Sequence, residues 1–292
     1  MNSNIRSKQT IIIGAIVLLV AFLFTRDIKG LVKPTEENGK MPSSGPMAGA
    51  ASPSTTSVLN LETSSTAAKN VINKNLATDI TALENSYKGA NGAEKIELAK
   101  QLAQKWDDVE QITPSALYLE VVAEGEPSSK SWLAAGNQFI KAFESTQDSI
   151  AQPALLQKAN ASYKNALEKD STNIEAKTGL GVTIVNGLGA PMQGIAMLLE
   201  VVAKEPKNVK ANMNLGLFSI KSGQFDKAIP RFNTVIAAAP TPEAYFYLGT
   251  ALENLGRNKE AVNAYLSSKK LAANPTLSSF IDKKVAELKN KN

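Results

Sequence analysis

Residues 210–240 read KANMNLGLFSIKSGQFDKAIPRFNTVIAAAP, and residues 243–275 repeat the same pattern as EAYFYLGTALENLGRNKEAVNAYLSSKKLAANP. In both copies a Leu-Gly pair is followed by a second glycine, then by an alanine, then by an aromatic residue, at identical spacing. These residues are Leu215, Gly216, Gly223, Ala228 and Phe232 in the first copy, and Leu248, Gly249, Gly256, Ala261 and Tyr265 in the second. A pattern that recurs at a fixed period of this length indicates a stack of similar units.

This pattern resembles the tetratricopeptide repeat, a unit of two helices, A and B, joined by a turn. The resemblance implies that Gly216 and Ala228 lie where the two helices approach most closely, and that Gly223 turns the chain between them. It also implies that Phe232 fills the space against the next repeat and that Pro240 ends helix B. One such unit cannot bury its apolar face alone, so we predict an all-α fold, a right-handed α-solenoid of tetratricopeptide helix pairs.

Weaker copies of the pattern precede these two. Leu180 and Gly181 mark one unit, with an extra residue in its turn, and Gly136 marks an earlier one whose second helix is displaced by an insertion after Phe143. A degenerate copy comes before that. The predicted units cover residues 93–128, 129–173, 174–208, 209–241 and 242–275, and a cap helix with a tail follows at 276–292.

The most apolar part of the chain is residues 9–25, which read QTIIIGAIVLLVAFLFT. As a helix this segment spans roughly 25 Å, the short end of what crosses a bilayer. A cleavable signal peptide is the alternative, but no small-x-small cleavage site follows directly. We predict a short flank at 1–8, a transmembrane anchor at 9–25 and a single-pass protein of a bacterial inner membrane, with the repeats in the periplasm.

The segment between the anchor and the repeats divides in two. Residues 26–57 are rich in Pro, Gly, Ser and Thr, which predicts a flexible linker. Residues 58–92 predict one N-terminal helix, because five apolar residues fall on a single helical stripe. The stripe consists of Ile72, Leu76, Ile80, Leu83 and Tyr87. It would pack on the next unit or, alternatively, form a homodimer through residues 65–88 as a short coiled coil.

Composition excludes several functions. The chain has no cysteine and no histidine, which excludes disulfides, thiolate or histidine metal sites, and Ser-His-Asp or Cys-His catalysis. The formal net charge is +5, but five basic residues and one acidic residue lie within residues 1–33, so the rest is nearly neutral. A nearly neutral body does not fit nucleic-acid binding. We predict no cofactor, no metal, no enzymatic activity and no nucleic-acid partner.

The resemblance also implies where a partner binds. Tetratricopeptide arrays bind peptides or proteins on a concave face lined by helix A. The residues predicted to bind a partner there are Leu133, Asn137, Ile140, Thr178, Val182, Val185, Met213, Leu217, Ile220, Phe246, Thr250 and Glu253. Only Asn137 matches the lysine-and-asparagine clamp that some arrays use for a C-terminal carboxylate, so we exclude that clamp.

The predicted groove is apolar at its centre and charged at its edges, which suits an amphipathic helix or an extended apolar peptide. The alternative is that several of these residues pack against the insertion or the N-terminal helix. We predict a membrane-anchored interaction scaffold that assists assembly of an envelope complex. The alternative is a chaperone-like holder of secreted clients such as apocytochrome c, because residues 174–290 loosely resemble the tetratricopeptide domain of cytochrome c maturation proteins.

Overall fold

The computed structural model describes residues 59–187 and 190–290, which form thirteen α-helices and no β-strand. The helices are α1 (Leu61–Lys69), α2 (Lys74–Gly89), α3 (Gly92–Asp108), α4 (Ile112–Gly125), α5 (Ser129–Ser145), α6 (Ala151–Lys169), α7 (Ile174–Gly187), α8 (Pro191–Lys204), α9 (Val209–Lys221), α10 (Phe225–Ala238), α11 (Pro242–Asn254), α12 (Asn258–Leu271) and α13 (Pro275–Lys289). The predicted all-α class is confirmed, and the handedness of the solenoid stays a prediction.

Consecutive helices pack on one another from α2 to α13, and α1 packs on α4. The hairpins α3–α4, α5–α6, α7–α8, α9–α10 and α11–α12 occupy the residues over which the five units are predicted. The A helices α5, α7, α9 and α11 also contact one another in order, whereas successive B helices of the described chain make no comparable contact. The A helices therefore lie closer together, which makes their side the concave one.

The turns between A and B helices depend on glycine in the two C-terminal units. Gly223 and Gly256 both have φ of +72°, a left-handed conformation that other residues adopt only with strain. The equivalent glycines of the sequence pattern therefore occupy equivalent turns, as the resemblance implies.

The glycines within the A helices permit close contact with helix B. A Cβ atom added to Gly216 would lie 2.7 Å from the ring of Phe232, and one added to Gly249 would lie 2.8 Å from the ring of Tyr265. Both rings are buried. Each aromatic side chain thus lies directly on the glycine of its own unit, and a larger residue there would separate the two helices.

The insertion in the second unit does not form a loop. Helices α5 and α6 have 17 and 19 residues, whereas α9 and α10 have 13 and 14. Only residues 146–150 connect α5 to α6. The extra residues were predicted to lie in the connection. Most of them instead lengthen the two helices, α5 and α6.

The single helix predicted over residues 58–92 is wrong, because the chain breaks between α1 and α2. Ile72 lies in the break, and Leu76 is 42% exposed. The other stripe residues pack in or against the core that contains Trp106, so the predicted packing on the next unit is confirmed for all but Leu76. Asn73 begins α2 as its N-cap, with its side chain accepting a hydrogen bond of 2.8 Å from the Asn75 N–H. Only Ile80 of the stripe is fully buried.

A buried carboxylate joins these N-terminal helices to the first unit. Glu84 of α2 accepts hydrogen bonds from Ser65 Oγ at 2.5 Å, Lys69 Nζ at 2.7 Å and Tyr118 Oη at 3.4 Å. Ser65 and Lys69 lie on α1, and Tyr118 lies on α4. These three donors compensate the burial of the charge, so α1 and α2 have a defined place on the array.

The predicted flank, anchor and linker, residues 1–57, lie outside the described residues. Among the helices that the structure describes, none is long and apolar enough to cross a membrane. The homodimer through residues 65–88 stays a prediction.

Candidate partner-binding surface

One asparagine connects three successive A helices. Asn137 of α5 donates from Nδ2 to Glu175 Oε1 on α7 at 2.9 Å, and its Oδ1 accepts from Lys210 Nζ on α9 at 3.2 Å. The same oxygen accepts from the Tyr163 hydroxyl on α6 at 2.9 Å. We call these four residues the Asn137 cluster. Because Lys210 reaches past α7 to α5, the cluster ties three A helices together on the concave face, where Asn137 and Lys210 stay half-buried and Glu175 is exposed.

The cluster holds its lysine among opposite charges. Burial lowers the pKa of Lys210, and the carboxylates of Glu175 and Glu144 act in the opposite direction. Burial also raises the pKa of Tyr163, so its hydroxyl stays protonated and can donate to Asn137 at neutral pH. The Asn137 cluster is therefore a satisfied network within the protein.

Three of the predicted partner-binding residues are buried. Ile140 is 6%, Thr178 is 1% and Val182 is 3% exposed. The Thr178 hydroxyl donates to its own helix, to the Ile174 carbonyl at 2.8 Å. The prediction is corrected for these three, because the close packing of the A helices leaves no surface on them for a partner.

The middle of the A-helix face is apolar and partly accessible. Met213, Leu217 and Ile220 of α9, which we call the α9 stripe, are half-buried and pack against the core that contains Phe232. Val185 of α7 is also half-buried and packs on the core between α7 and α9. These side chains keep part of their surface exposed, as a docking site requires. Leu133, near the opposite end, is half-buried against the core of the long hairpin.

The C-terminal end of the face includes the cap helix. The ring of Phe246 lies 5.9 Å from the ring of Phe280 on α13 and 5.6 Å from that of Tyr265. Phe280 is 46% exposed. Glu253 accepts from Lys284 of α13 at 2.9 Å. The cap helix thus extends the predicted surface rather than only closing the core.

Thr250 and Glu253, the remaining predicted residues at this end, both contact the hydroxyl of Tyr265. Tyr265 donates to Glu253 Oε2 at 2.7 Å and lies 3.3 Å from the Thr250 hydroxyl. Thr250 and Glu253 are both half-buried. Glu253 is therefore already paired, so an incoming cation would compete with Lys284 and Tyr265.

The sequence reasoning missed Phe280 and Lys284 as members of this face. Each stands 34 residues after a predicted site residue, Phe280 after Phe246 and Lys284 after Thr250. Extending the repeat register into the cap helix would have identified both. Tyr163 was also missed as a partner of Asn137, although it stands at the aromatic position of its unit.

Comparison with known proteins identifies the repeats. Residues 220–275 match the sequence model of the tetratricopeptide repeat family. The predicted resemblance to the tetratricopeptide repeat is confirmed. A comparison with curated protein sequences finds no match.

Solved tetratricopeptide structures resemble the array at low identity. TTC0263, a thermophilic tetratricopeptide protein of Thermus thermophilus, is 16% identical with a TM-score of 0.52, over 65% of this chain and 99% of its own. MamA is 22% identical with a TM-score of 0.44, over 57% and 92%. YrrB, a tetratricopeptide protein with an unusual peptide-binding site, is 16% identical with a TM-score of 0.42, over 64% and 91%. The likeness to TTC0263 supports the tetratricopeptide fold alone.

Proposed function

We propose that this chain is a membrane-anchored scaffold that binds a peptide or helix of a partner protein on its A-helix face and assists assembly of an envelope complex. The observation that carries the proposal is the α9 stripe, three partly accessible apolar side chains on the concave side of the array. Phe246 and the exposed Phe280 continue the apolar surface toward the C-terminus. Such a strip with charged edges suits an apolar helix face or an extended apolar peptide.

We propose that the partner binds on the C-terminal half of the predicted groove. In the N-terminal half the Asn137 cluster joins α5, α7 and α9 through its own hydrogen bonds, and Ile140, Thr178 and Val182 are buried. What remains is formed by α9, α11 and α13. Helix α9 alone is roughly 20 Å long, which is enough to contact about three turns of a partner helix that lies along it.

The membrane part of the proposal rests on the sequence of residues 9–25. The linker 26–57 would allow the array a mean reach of roughly 30 Å from the anchor. We propose that the array lies on the periplasmic side of a bacterial inner membrane. Deleting residues 9–25 should release the protein from the membrane fraction of cells, and persistence there would contradict the anchor.

The binding surface is tested by Leu217→Asp with Leu199→Asp as the matched control. Leu199 is 43% exposed on α8, a B helix, so the same charge is introduced away from the A-helix face. After crosslinking in intact cells, affinity purification should recover the partner with wild type and with Leu199→Asp but not with Leu217→Asp. Thermal unfolding of each variant checks that the array is still folded.

The identity of what is lost distinguishes the two candidate roles. Loss of one complex of fixed composition supports a scaffold. Loss of many secreted clients supports a chaperone-like holder, and haem-binding motifs among them would indicate apocytochrome c. Unchanged capture by a folded Leu217→Asp protein would contradict binding on the A-helix face.

A further inference from the structure

Lys221 is the last residue of α9 and lies one turn beyond Leu217 of the α9 stripe. It follows Leu217 by four residues, so the two side chains lie on the same face of the helix. Its Nζ donates to Asn186 Oδ1 at 3.4 Å and lies 5.7 Å from the centre of the Phe218 ring. No carboxylate of the described residues forms an ion pair with it. Lys221 is therefore an exposed cation whose contacts are a neutral amide and a ring.

Three other lysines near this face are balanced by carboxylates. Lys141 pairs with Asp107 at 2.9 Å, and Lys284 pairs with Glu253 at 2.9 Å. Lys210 lies in the Asn137 cluster, where the negative charge of Glu175 favours its charged form. Lys221 thus places a positive charge without a carboxylate partner among the described residues at one end of the α9 stripe, next to the half of the groove proposed to bind the partner.

We propose that the partner segment carries an acidic side chain one helical turn from its apolar anchor, so that Leu217 contacts the anchor and Lys221 pairs with the carboxylate. This inference rests on the proposed function and specifies the chemistry of the ligand. Leu217 and Lys221 are separated by roughly 6 Å along the helix axis. In a partner helix, a carboxylate three or four residues from the apolar anchor matches that distance. In an extended peptide, a carboxylate two residues from the anchor matches it.

The test uses two synthetic helical peptides that differ at one position. Both carry a fluorescein label and a leucine stripe, and one has Glu and the other Lys one turn after the central leucine. Fluorescence anisotropy measures their affinity for the full-length chain in lipid nanodiscs, with empty nanodiscs subtracted. We expect the Glu peptide to bind about threefold more tightly at low salt, as for an exposed ion pair, and the difference to shrink at high salt.

Charge reversal at Lys221 tests whether this residue causes the preference for the Glu peptide. Lys221→Glu should reverse the preference, whereas Lys164→Glu should leave it unchanged, because Lys164 is an exposed lysine on the B helix α6. If Lys164→Glu has the same effect as Lys221→Glu, the preference reflects overall charge and the inference is overturned.

Two further outcomes separate this inference from the proposed function. If the peptides bind equally and Leu217→Asp weakens both, the surface binds apolar peptides but Lys221 does not select their charge, which overturns the inference alone. If neither peptide binds above the empty nanodiscs, both the inference and the proposed peptide-binding surface are contradicted.

Discussion

The hairpins α5–α6 and α9–α10 use the same helix contact with opposite chemistry. In each, an aromatic ring of helix B lies on a glycine of helix A. A Cβ atom added to Gly136 would lie 2.8 Å from Tyr163, and one added to Gly216 would lie 2.7 Å from Phe232. The steric requirement is therefore the same in both units, and the difference lies in the hydroxyl that only Tyr163 carries.

The residue that comes after each glycine is polar where the aromatic residue is polar and apolar where it is apolar. Asn137 follows Gly136 and accepts the Tyr163 hydroxyl at 2.9 Å, whereas Leu217 follows Gly216 and packs with Phe232. A polar aromatic residue is thus matched by a polar neighbour and an apolar one by an apolar neighbour, because a buried hydroxyl needs an acceptor.

Two further units follow the same rule. Tyr265 lies 3.3 Å from the hydroxyl of Thr250, which follows the glycine of its unit. In the unit of α7 and α8 both positions are apolar, Val182 and Leu198, and both are buried in one cluster. In the hairpin α5–α6 the polar residue of helix A joins neighbouring helices, whereas in α9–α10 the apolar residue Leu217 stays partly accessible.

Truncating the two rings should produce the largest effect. Tyr163→Ala and Phe232→Ala should each lower the free energy of unfolding by about 3–5 kcal/mol, because each removes a fully buried aromatic side chain. The loss should be greater for Tyr163, whose ring also lies against Gly179 of the next unit. Denaturant unfolding followed by circular dichroism measures both, and a loss below about 1 kcal/mol for either ring would contradict its place in the core.

Exchanging the hydroxyl between the hairpins should produce an intermediate effect. Phe232→Tyr should cost about 1–3 kcal/mol, because Leu217 stands where Asn137 accepts the Tyr163 hydroxyl and its side chain has no acceptor. Tyr163→Phe should cost about 1 kcal/mol, because Asn137 keeps its contacts to Glu175 and Lys210. The same unfolding measurement compares them.

A double-mutant cycle sharpens this test. Adding Leu217→Asn to Phe232→Tyr should recover about 1 kcal/mol relative to the sum of the single changes, because the hydroxyl gains an acceptor. Additive effects would show that the pairing of the two positions has no energetic basis.

The smallest expected effect concerns acid stability at the polar hairpin. Hydrogen bonds from Lys141 and then Gln138 hold the pKa of Asp107 below its usual value. A carboxyl whose pKa is lowered in the folded state contributes stability above its unfolded pKa and loses it as the pH falls through the folded pKa. The contribution should therefore disappear below about pH 4.

Asp107→Asn should make the stability of the array less sensitive to pH in that range, by less than about 1 kcal/mol because the pair is partly exposed. The neighbouring Asp108→Asn is the matched control, since the Asp108 carboxylate accepts a hydrogen bond from Gln104 of its own helix. Equal changes in the two variants would show that the link from α3 to α5 does not depend on Asp107.

The repeated pattern was sufficient to predict the helix hairpins, since Gly216, Gly223 and Phe232 have steric roles that act within one unit. The break between α1 and α2 was not predicted, because the spacing of Ile72 and Leu76 fits a helix and only the caps of short helices reveal the interruption. Asn73, a favoured N-cap residue, was the available signal.

How deeply the predicted site residues are buried could not be predicted from the repeat register. The register assigns Thr178 and Val182 to the A-helix face, but their burial depends on how closely α5, α7 and α9 approach. That approach is set by contacts distant in sequence, such as Lys210 with Asn137, 73 residues apart. A pattern with a period of about 34 residues carries no information about such contacts.

The most direct test of partner binding on the A-helix face is site-specific photo-crosslinking in living cells. A benzoylphenylalanine replaces Met213 in one variant and Leu199 in the other, since both positions are partly or largely accessible but lie on different faces. The account predicts a partner crosslinked from position 213 and not from position 199. A partner crosslinked from 199 and not from 213 would contradict it.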